Sequence, residues 1–335
     1  MKAVGFRAPS PIDAPDALID LELPAPVASG HDILVRVQAV SVNPVDTKVR
    51  RSAQPPEGEA RILGYDAAGV VEAVGEQVTL FKAGDEVFYA GAIGRPGTNA
   101  ELHLVDERIV GRKPKTLSFA QAAAMPLTFI TAWELLFDRF GVKPGEGEGQ
   151  ALIIIGGAGG VGSAMIQIAR RLTRLTIAAS ASRPETEAWV RDLGAHHVFD
   201  HTKPLAEELK RLGLENPPYI ASLTHTADHF EAVAAAIGLQ GKIGVIEADR
   251  TIDPRPLHHK AASLHWEFMF ARPMGTPDMI EQHRLLNAVA DLVDEGRIRT
   301  TLAEVVGGIN AADLIKAHAQ VESARTIGKV VLEGF

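Results

Sequence analysis

Five glycines fall within seven residues at Gly156-Gly157-Ala158-Gly159-Gly160-Val161-Gly162. The apolar, β-branched run Ile153-Ile154-Ile155 precedes them, and Met165-Ile166-Gln167-Ile168-Ala169 follows at helical spacing. Strand, tight turn and helix N-terminus in that order present free backbone N–H groups and a positive helix end to a pyrophosphate. Glycine suits the turn because the backbone must bend sharply and then lie close to the phosphates. Gly157, Ala158, Gly159, Gly160, Val161 and Gly162 are therefore candidate cofactor-binding residues. A tight turn with no ligand is the plain alternative. The strand before, the helix after and the βα units on either side favour the binding reading.

The next strand ends Ala178-Ala179-Ser180-Ala181-Ser182-Arg183. Enzymes that use NAD place an acid near here for the ribose 2′-hydroxyl. No Asp or Glu occupies this strand end. Ser180, Ser182 and Arg183 offer two hydroxyls and a guanidinium, a set suited to a 2′-phosphate. The expected cofactor is thus NADP(H), with His201 as a further candidate contact. For Arg183 the competing reading is a solvated residue ahead of the helix that opens at Pro184.

The 335 residues suit two domains better than one core. Composition is ordinary for a globular chain: 46% apolar and 23% charged. A net charge of −8 without a Lys/Arg block argues against nucleic-acid or membrane-surface binding. No apolar run has the length of a membrane span, and Met1-Lys-Ala-Val-Gly-Phe6 lacks the apolar core of a signal peptide. A cytoplasmic location is the expectation. The chain has no cysteine, so disulfides, thiolate metal sites and a catalytic thiol are excluded.

Stepping outward from the glycines, residues 1–125 read as β-rich. Ile33–Val40 alternates like a half-buried strand, and Asp66–Gly75 is small and apolar with glycines suited to bulges. An irregular antiparallel barrel is expected there. After Pro126 strand and helix alternate. The pattern predicts strands at 151–155, 175–179, 196–199, 219–224, 242–247 and 264–270. Helices are predicted at 161–172, 184–193, 204–212 and 228–237. Gly194 is the expected C′ residue of the second helix and Asp228 the expected N-cap of the fourth. Repeated βα units imply a parallel sheet covered on both faces. Helices near 277–295 and 311–322 and a strand at 327–332 complete the chain.

Several stretches together resemble the medium-chain dehydrogenase/reductase superfamily, in its quinone oxidoreductase-like branch. They are Asn43-Pro44-Val45-Asp46, the run Gly64-Tyr65-Asp66 through Gly69-Val70, Gly84-Asp85-Glu86-Val87, Leu127-Thr128, and Gly159-Gly160-Val161-Gly162. Ser263-Leu264-His265-Trp266-Glu267-Phe268-Met269-Phe270 resembles a subgroup labelled zinc-type alcohol dehydrogenase-like. The resemblance implies an α/β fold: a Rossmann doubly wound parallel sheet plus a GroES-like β-rich catalytic domain, with an active cleft between them. The implied domains are 1–125, 126–272, and a segment 273–335 returning to the first. It also implies a homodimer through the Rossmann sheet edge, near 264–270, and a nicotinamide contact at Thr128.

Zinc-dependent members of that superfamily hold the metal with cysteine and histidine. The corresponding positions here are Asn43 and Tyr65-Asp66, so no zinc is expected. His225 and His229 are four apart, as are His197 and His201 beside Asp200, and His258-His259 are adjacent. These groups read as surface or cap histidines, since no ligand pattern accompanies them.

Hydride addition to a quinone or enone drives negative charge onto oxygen, and hydrogen-bond donors aimed there lower the barrier. The candidate catalytic residues are Asn43, as donor or cofactor-orienting group, Tyr65 as proton donor, and Asp66 as relay or loop anchor. Tyr65 reads equally as a packed aromatic. The expected function is a zinc-independent, NADPH-dependent reductase of quinones or α,β-unsaturated carbonyls. The alternatives are a zinc-type alcohol/ketone dehydrogenase, an NADPH-binding sensor or scaffold with little catalysis, and a lyase on the same fold.

Overall fold

The computed structural model describes residues 1–247 and 250–335. In chain order the elements begin with β1 (Lys2–Phe6), β2 (Ile19–Glu22), β3 (Asp32–Val42), α1 (Pro44–Ser52), β4 (Arg61–Ile62), β5 (Ala67–Val74), β6 (Glu86–Tyr89), β7 (Leu102–Asp106) and β8 (Val110–Arg112). Helices α2 (Phe119–Ala123) and α3 (Pro126–Trp133) follow, then a π-helical turn at Glu134–Arg139. The alternating region runs β9 (Ala151–Ile155), α4 (Gly160–Leu172), β10 (Thr176–Ser180), α5 (Pro184–Asp192), β11 (His197–Phe199), α6 (Leu205–Leu212), β12 (Tyr219–Ser222), α7 (Thr226–Ala236), β13 (Lys242–Val245) and β14 (Ser263–Trp266). The tail holds α8 (Ile280–Asp294), β15 (Leu302–Gly307), α9 (Ala311–Glu322) and β16 (Lys329–Glu333).

The chain divides into two compact units. One comprises Met1–Ile130 with Met269–Phe335, the other Thr131–Phe268. In the first, strands lie in the order β15-β16-β3-β5-β6-β8, with β7 also paired to β3. A smaller antiparallel sheet has the order β2-β1-β4. Strand β16 runs antiparallel to β3 with Val330 opposite Val42, so the tail supplies an interior strand. The core behind this sheet gathers Phe6, Ile33, Val35, Val40, Leu63, Val87, Leu314 and Leu332.

The second unit is a parallel sheet in the order β11-β10-β9-β12-β13-β14. All five residues of β9 are buried, as expected of a strand covered on both faces. Strand order reverses between β9 and β12, the switch point outside which open α/β sheets bind ligands. Among the described residues no helix is long and apolar enough to cross a membrane.

The βα series matches the sequence expectation, and Gly194 at φ +112° ends α5 as foreseen. Three details differ. Helix α7 starts at Thr226, with His225 rather than Asp228 at the N-cap, because His225 itself adopts a left-handed conformation that turns the chain early. Asp228 lies inside the first turn and pairs with Arg250. The strand expected over 264–270 ends at Trp266, and Met269–Ala271 is a short 3₁₀ turn. The β-rich first half also contains α1, capped by Asn43 with Pro44 at its first position.

Candidate functional site

In the second unit, β9 delivers the chain to Gly156, whose φ of +87° makes the turn. Gly159 is the N-cap of α4. The turn is tightly built. A Cβ on Gly162 would lie 2.3 Å from the Gly156 carbonyl oxygen and 2.7 Å from both Cα and O of Gly157. A Cβ on Gly157 would lie 2.9 Å from Cβ of Ala179 on β10. Gly159 differs, since its Cβ position meets only the Gly156 oxygen, at 3.5 Å. Two glycines are therefore required by the protein's own packing, and a third leaves an open approach to the first N–H groups of α4. Those groups have no intrahelical acceptor and are ready for an anion.

Ser180 is buried, and its hydroxyl accepts a hydrogen bond from the Gly156 amide at 2.9 Å. It thus ties β10 to the turn. Ser182 is exposed. Arg183 is partly exposed and pairs with Glu185 at 3.3 Å. His201 is exposed, its ring 6.4 Å from that of His229.

A cavity of about 330 Å³ opens beyond the ends of β12 and β13, lined by His225, Thr226, Asp228, Glu247, Arg250 and Ile252. The methyl of Thr224, in the loop after β12, lies beside the turn, 3.0 Å from where a Gly156 Cβ would stand. The sequence reading of His225 as a surface or cap histidine matches its place, exposed at the N-cap of α7. Its left-handed backbone, unusual for a side chain of this size, is invisible in one sequence.

The first unit holds a buried polar group. Asn43, Asp46, Asp66 and Lys329 are each at most 4% exposed. Val330 pairs with Val42, the last residue of β3, so Lys329 lies at the strand end next to Asn43. The Lys329 ammonium donates to the Val42 carbonyl at 3.1 Å, to Asp66 Oδ2 at 3.1 Å and to Asn43 Oδ1. Asn43 Nδ2 donates to Asp66 Oδ2 at 2.8 Å, with longer contacts to the Ser41 and Tyr65 carbonyls. Asp66 Oδ1 accepts from the Leu127 amide at 2.7 Å, which fixes the first turn of α3. Thr128 is buried next to it and donates to the Met125 carbonyl. Asp46 accepts from the amides of Asn43 at 2.8 Å and Gly64 at 2.9 Å.

Burial pushes both carboxyls up. Asp46 rises to about 7, held back by the Asn43 amide and by Lys329. Asp66 is raised as well, with the Lys329 charge as the main opposing influence. The Tyr65 ring packs edge-on to Phe270 at 5.2 Å, and its hydroxyl lies 3.5 Å from an Arg61 guanidinium nitrogen. Burial raises the Tyr65 phenol and Arg61 opposes that rise. Lys329 was missed in the sequence. The available signal was a lysine opening the otherwise apolar strand Lys329-Val330-Val331-Leu332, a charge that needs a buried partner.

Of the histidines, His103 is a satisfied core residue. It contacts the Tyr89 hydroxyl at 3.1 Å and the Pro96 carbonyl at 3.0 Å, and burial lowers it to about 4. Among the described residues no group of three or more His, Asp or Glu is arranged to hold a metal ion.

A glycine turn on a doubly wound parallel sheet in one unit, and a β-rich unit that holds a buried polar group, are together the parts of an oxidoreductase of the medium-chain type. The family described as alcohol dehydrogenase GroES-like domain matches residues 29–125, and that described as zinc-binding dehydrogenase matches 193–332. The zinc-type alcohol dehydrogenase-like protein of Staphylococcus epidermidis is 39% identical over 99% of both chains. The 2-methylene-furan-3-one reductase of Solanum lycopersicum is 37% identical over 57% of this chain and 50% of its own. Among solved structures, a putative zinc-dependent alcohol dehydrogenase protein from Rhizobium etli CFN 42 superposes with a TM-score of 0.96 at 59% identity, covering 100% of this chain and 98% of that one. Mycobacterial Rv1454c complexed with NADPH gives 0.82 at 26% identity, covering 99% and 100%. The chain belongs to the medium-chain dehydrogenase/reductase superfamily, in the group of zinc-type alcohol dehydrogenase-like proteins.

Proposed function

We propose that the protein is an NADPH-dependent, zinc-independent reductase of quinones or α,β-unsaturated carbonyls. The observation that carries the cofactor reading is the β10 end. Ser180 braces the turn, Ser182 and Arg183 follow with no acid, and the N–H groups of α4 stand open beside them. Gly157–Gly162 would hold the pyrophosphate, and Ser182 and Arg183 the 2′-phosphate. His201 and Thr128 are the remaining proposed cofactor contacts. The NADPH bound by the mycobacterial relative supports the same choice.

The residues at the positions of the superfamily's zinc ligands fit zinc poorly. They offer an amide, a phenol and a carboxylate, where zinc favours thiolate and imidazole. Asn43 Oδ1 and Asp66 Oδ2 already take hydrogen bonds from an ammonium. A second cation there would compete with the Lys329 ammonium for the same oxygens. This supports a metal-free mechanism.

Bound NADPH supplies the hydride. Tyr65 is the proposed proton donor to the enolate or quinol oxygen that hydride addition creates. Arg61, beside its hydroxyl, favours the tyrosinate left behind. The Asn43 amide nitrogen is turned inward to Asp66, so Asn43 is proposed to hold the site rather than to donate to substrate. Asp66 anchors α3. The tomato enone reductase supports this substrate class. A second copy is proposed to pair at β14, the sheet edge, where Trp266 and Phe268 are each 47% exposed.

The test is a paired titration of NADPH and NADH by nicotinamide fluorescence. NADPH is expected to bind more tightly. Equal affinities would remove the NADP reading.

A further inference from the structure

An ammonium has three protons to place, and Lys329 places all three on buried oxygens: Val42 O, Asp66 Oδ2 and Asn43 Oδ1. That sets the direction of every bond around it. With Oδ1 of Asn43 occupied by a cation, the amide cannot flip, and Nδ2 must face Asp66 Oδ2. With one Asp66 oxygen held by Lys329 and Asn43, the other is aimed at the Leu127 amide. A single side chain from the tail therefore fixes the end of β3, the Tyr65-Asp66 segment and the first turn of α3, where Thr128 lies. The contacts span 263 and 286 residues of sequence, so no local feature substitutes for them.

We propose that Lys329 is a positioning residue of the candidate site. Its ammonium is the resident cation of a three-oxygen niche. It orients Asn43, holds one oxygen of Asp66, and through them places Tyr65 and Thr128, without touching substrate. The functional half of this proposal rests on the reductase reading above. The niche itself does not.

The test is chemical rescue of Lys329→Ala. Truncation opens a space that matches a short alkylammonium ion, so n-propylammonium chloride is the probe and sodium chloride of equal ionic strength the control. Propylammonium is expected to raise the Tm of the variant saturably while leaving the parent protein unchanged. An equal response to both salts would overturn the niche. This arm needs no substrate, so it is decided even if the parent reduces nothing and the reductase reading fails. With NADPH and an enone, kcat of the variant is expected to fall by about 100-fold, the scale of a small misplacement of reacting groups, and to recover with propylammonium. The NADPH Kd should rise far less than kcat falls, because the glycine turn belongs to the other unit and only the Thr128 contact is disturbed. A variant that turns over like the parent would overturn the positioning role. If Lys329→Ala does not fold, the double variant Lys329→Met with Asp66→Asn removes both charges together. It is expected to fold and to lack turnover, and parent-like turnover in it would contradict the proposal.

Discussion

Gly162→Ala and Gly159→Ala separate two uses of glycine within one turn. At Gly162 the new methyl would stand 2.3 Å from the Gly156 oxygen and 2.7 Å from two atoms of Gly157. All three are backbone atoms of the turn itself, so no side chain can swing aside. Relief to ordinary contact needs a shift of roughly 1 Å between turn and α4. Overpacking of this kind costs about 1–3 kcal/mol, and each kcal/mol lowers Tm by about 2–4 °C for a unit of this size. The same shift moves the N–H groups of α4, so NADPH affinity should fall about tenfold or more, tenfold being about 1.4 kcal/mol. At Gly159 the methyl meets only one oxygen at 3.5 Å, and φ is an ordinary −73°. Gly159→Ala should therefore keep the parent Tm but lose NADPH affinity, because only the ligand needs that space. The assays are thermal unfolding and fluorescence titration on both variants. Parent Tm and parent affinity in Gly162→Ala would refute the packing argument. Parent affinity in Gly159→Ala would refute the claim that the open side serves a phosphate.

Three further outcomes are expected. Arg183→Ala should weaken NADPH by about tenfold or more, the scale of a charge-assisted hydrogen bond, and leave NADH unchanged. A uniform loss for both cofactors would contradict its proposed role. Tyr65→Phe should lower kcat by about 10²–10⁴-fold, as for loss of a general acid, with the NADPH Kd retained, and full turnover would end the proton-donor assignment. The third concerns Glu267, whose buried carboxyl accepts from Arg139 Nε at 2.8 Å and feels the buried Glu134 carboxyl. Burial and the neighbouring Glu134 push Glu267 well above the carboxylate range, so the pair shares a proton. A folded-state pKa above the unfolded value contributes stability that is complete below about pH 4.3 and is lost as pH rises through the folded pKa. Glu267→Gln supplies a permanent hydrogen to Glu134 and keeps an oxygen for Arg139. Its stability relative to the parent should climb by up to about 1.4 kcal/mol per pH unit across that window, and a difference that does not change with pH would contradict the shared proton.

The strand–glycine turn–helix unit was legible because all its signals are local. Strand, glycines and helix lie within twenty residues of one another, and each has its own period or conformational preference. Helix α1 was legible in principle, since Asn43-Pro44 is an N-cap followed by proline at N1. Its Lys48, Arg50 and Arg51 gave no apolar stripe to notice. Strand β15 was missed because no residue of Leu302–Gly307 is fully buried, half of them are exposed, and its register is broken twice. The polar cluster was only half visible. Asn43, Tyr65 and Asp66 stand in recognisable stretches, but Lys329 joins them through the β16–β3 pairing, which one sequence does not encode locally. The backbone of His225 and the cavity beside it arise from the order of strands in the sheet, another long-range property.

The central claim is metal-independent hydride transfer from NADPH to a conjugated carbonyl. The most direct measurement follows the loss of reduced-nicotinamide absorbance when chelator-treated protein, with its metal content assayed, meets NADPH and a panel of quinones, enones and simple ketones. The account predicts turnover of quinones or enones with no zinc bound and no gain on adding zinc. Turnover confined to simple ketones or alcohols, or dependent on restored zinc, would contradict it.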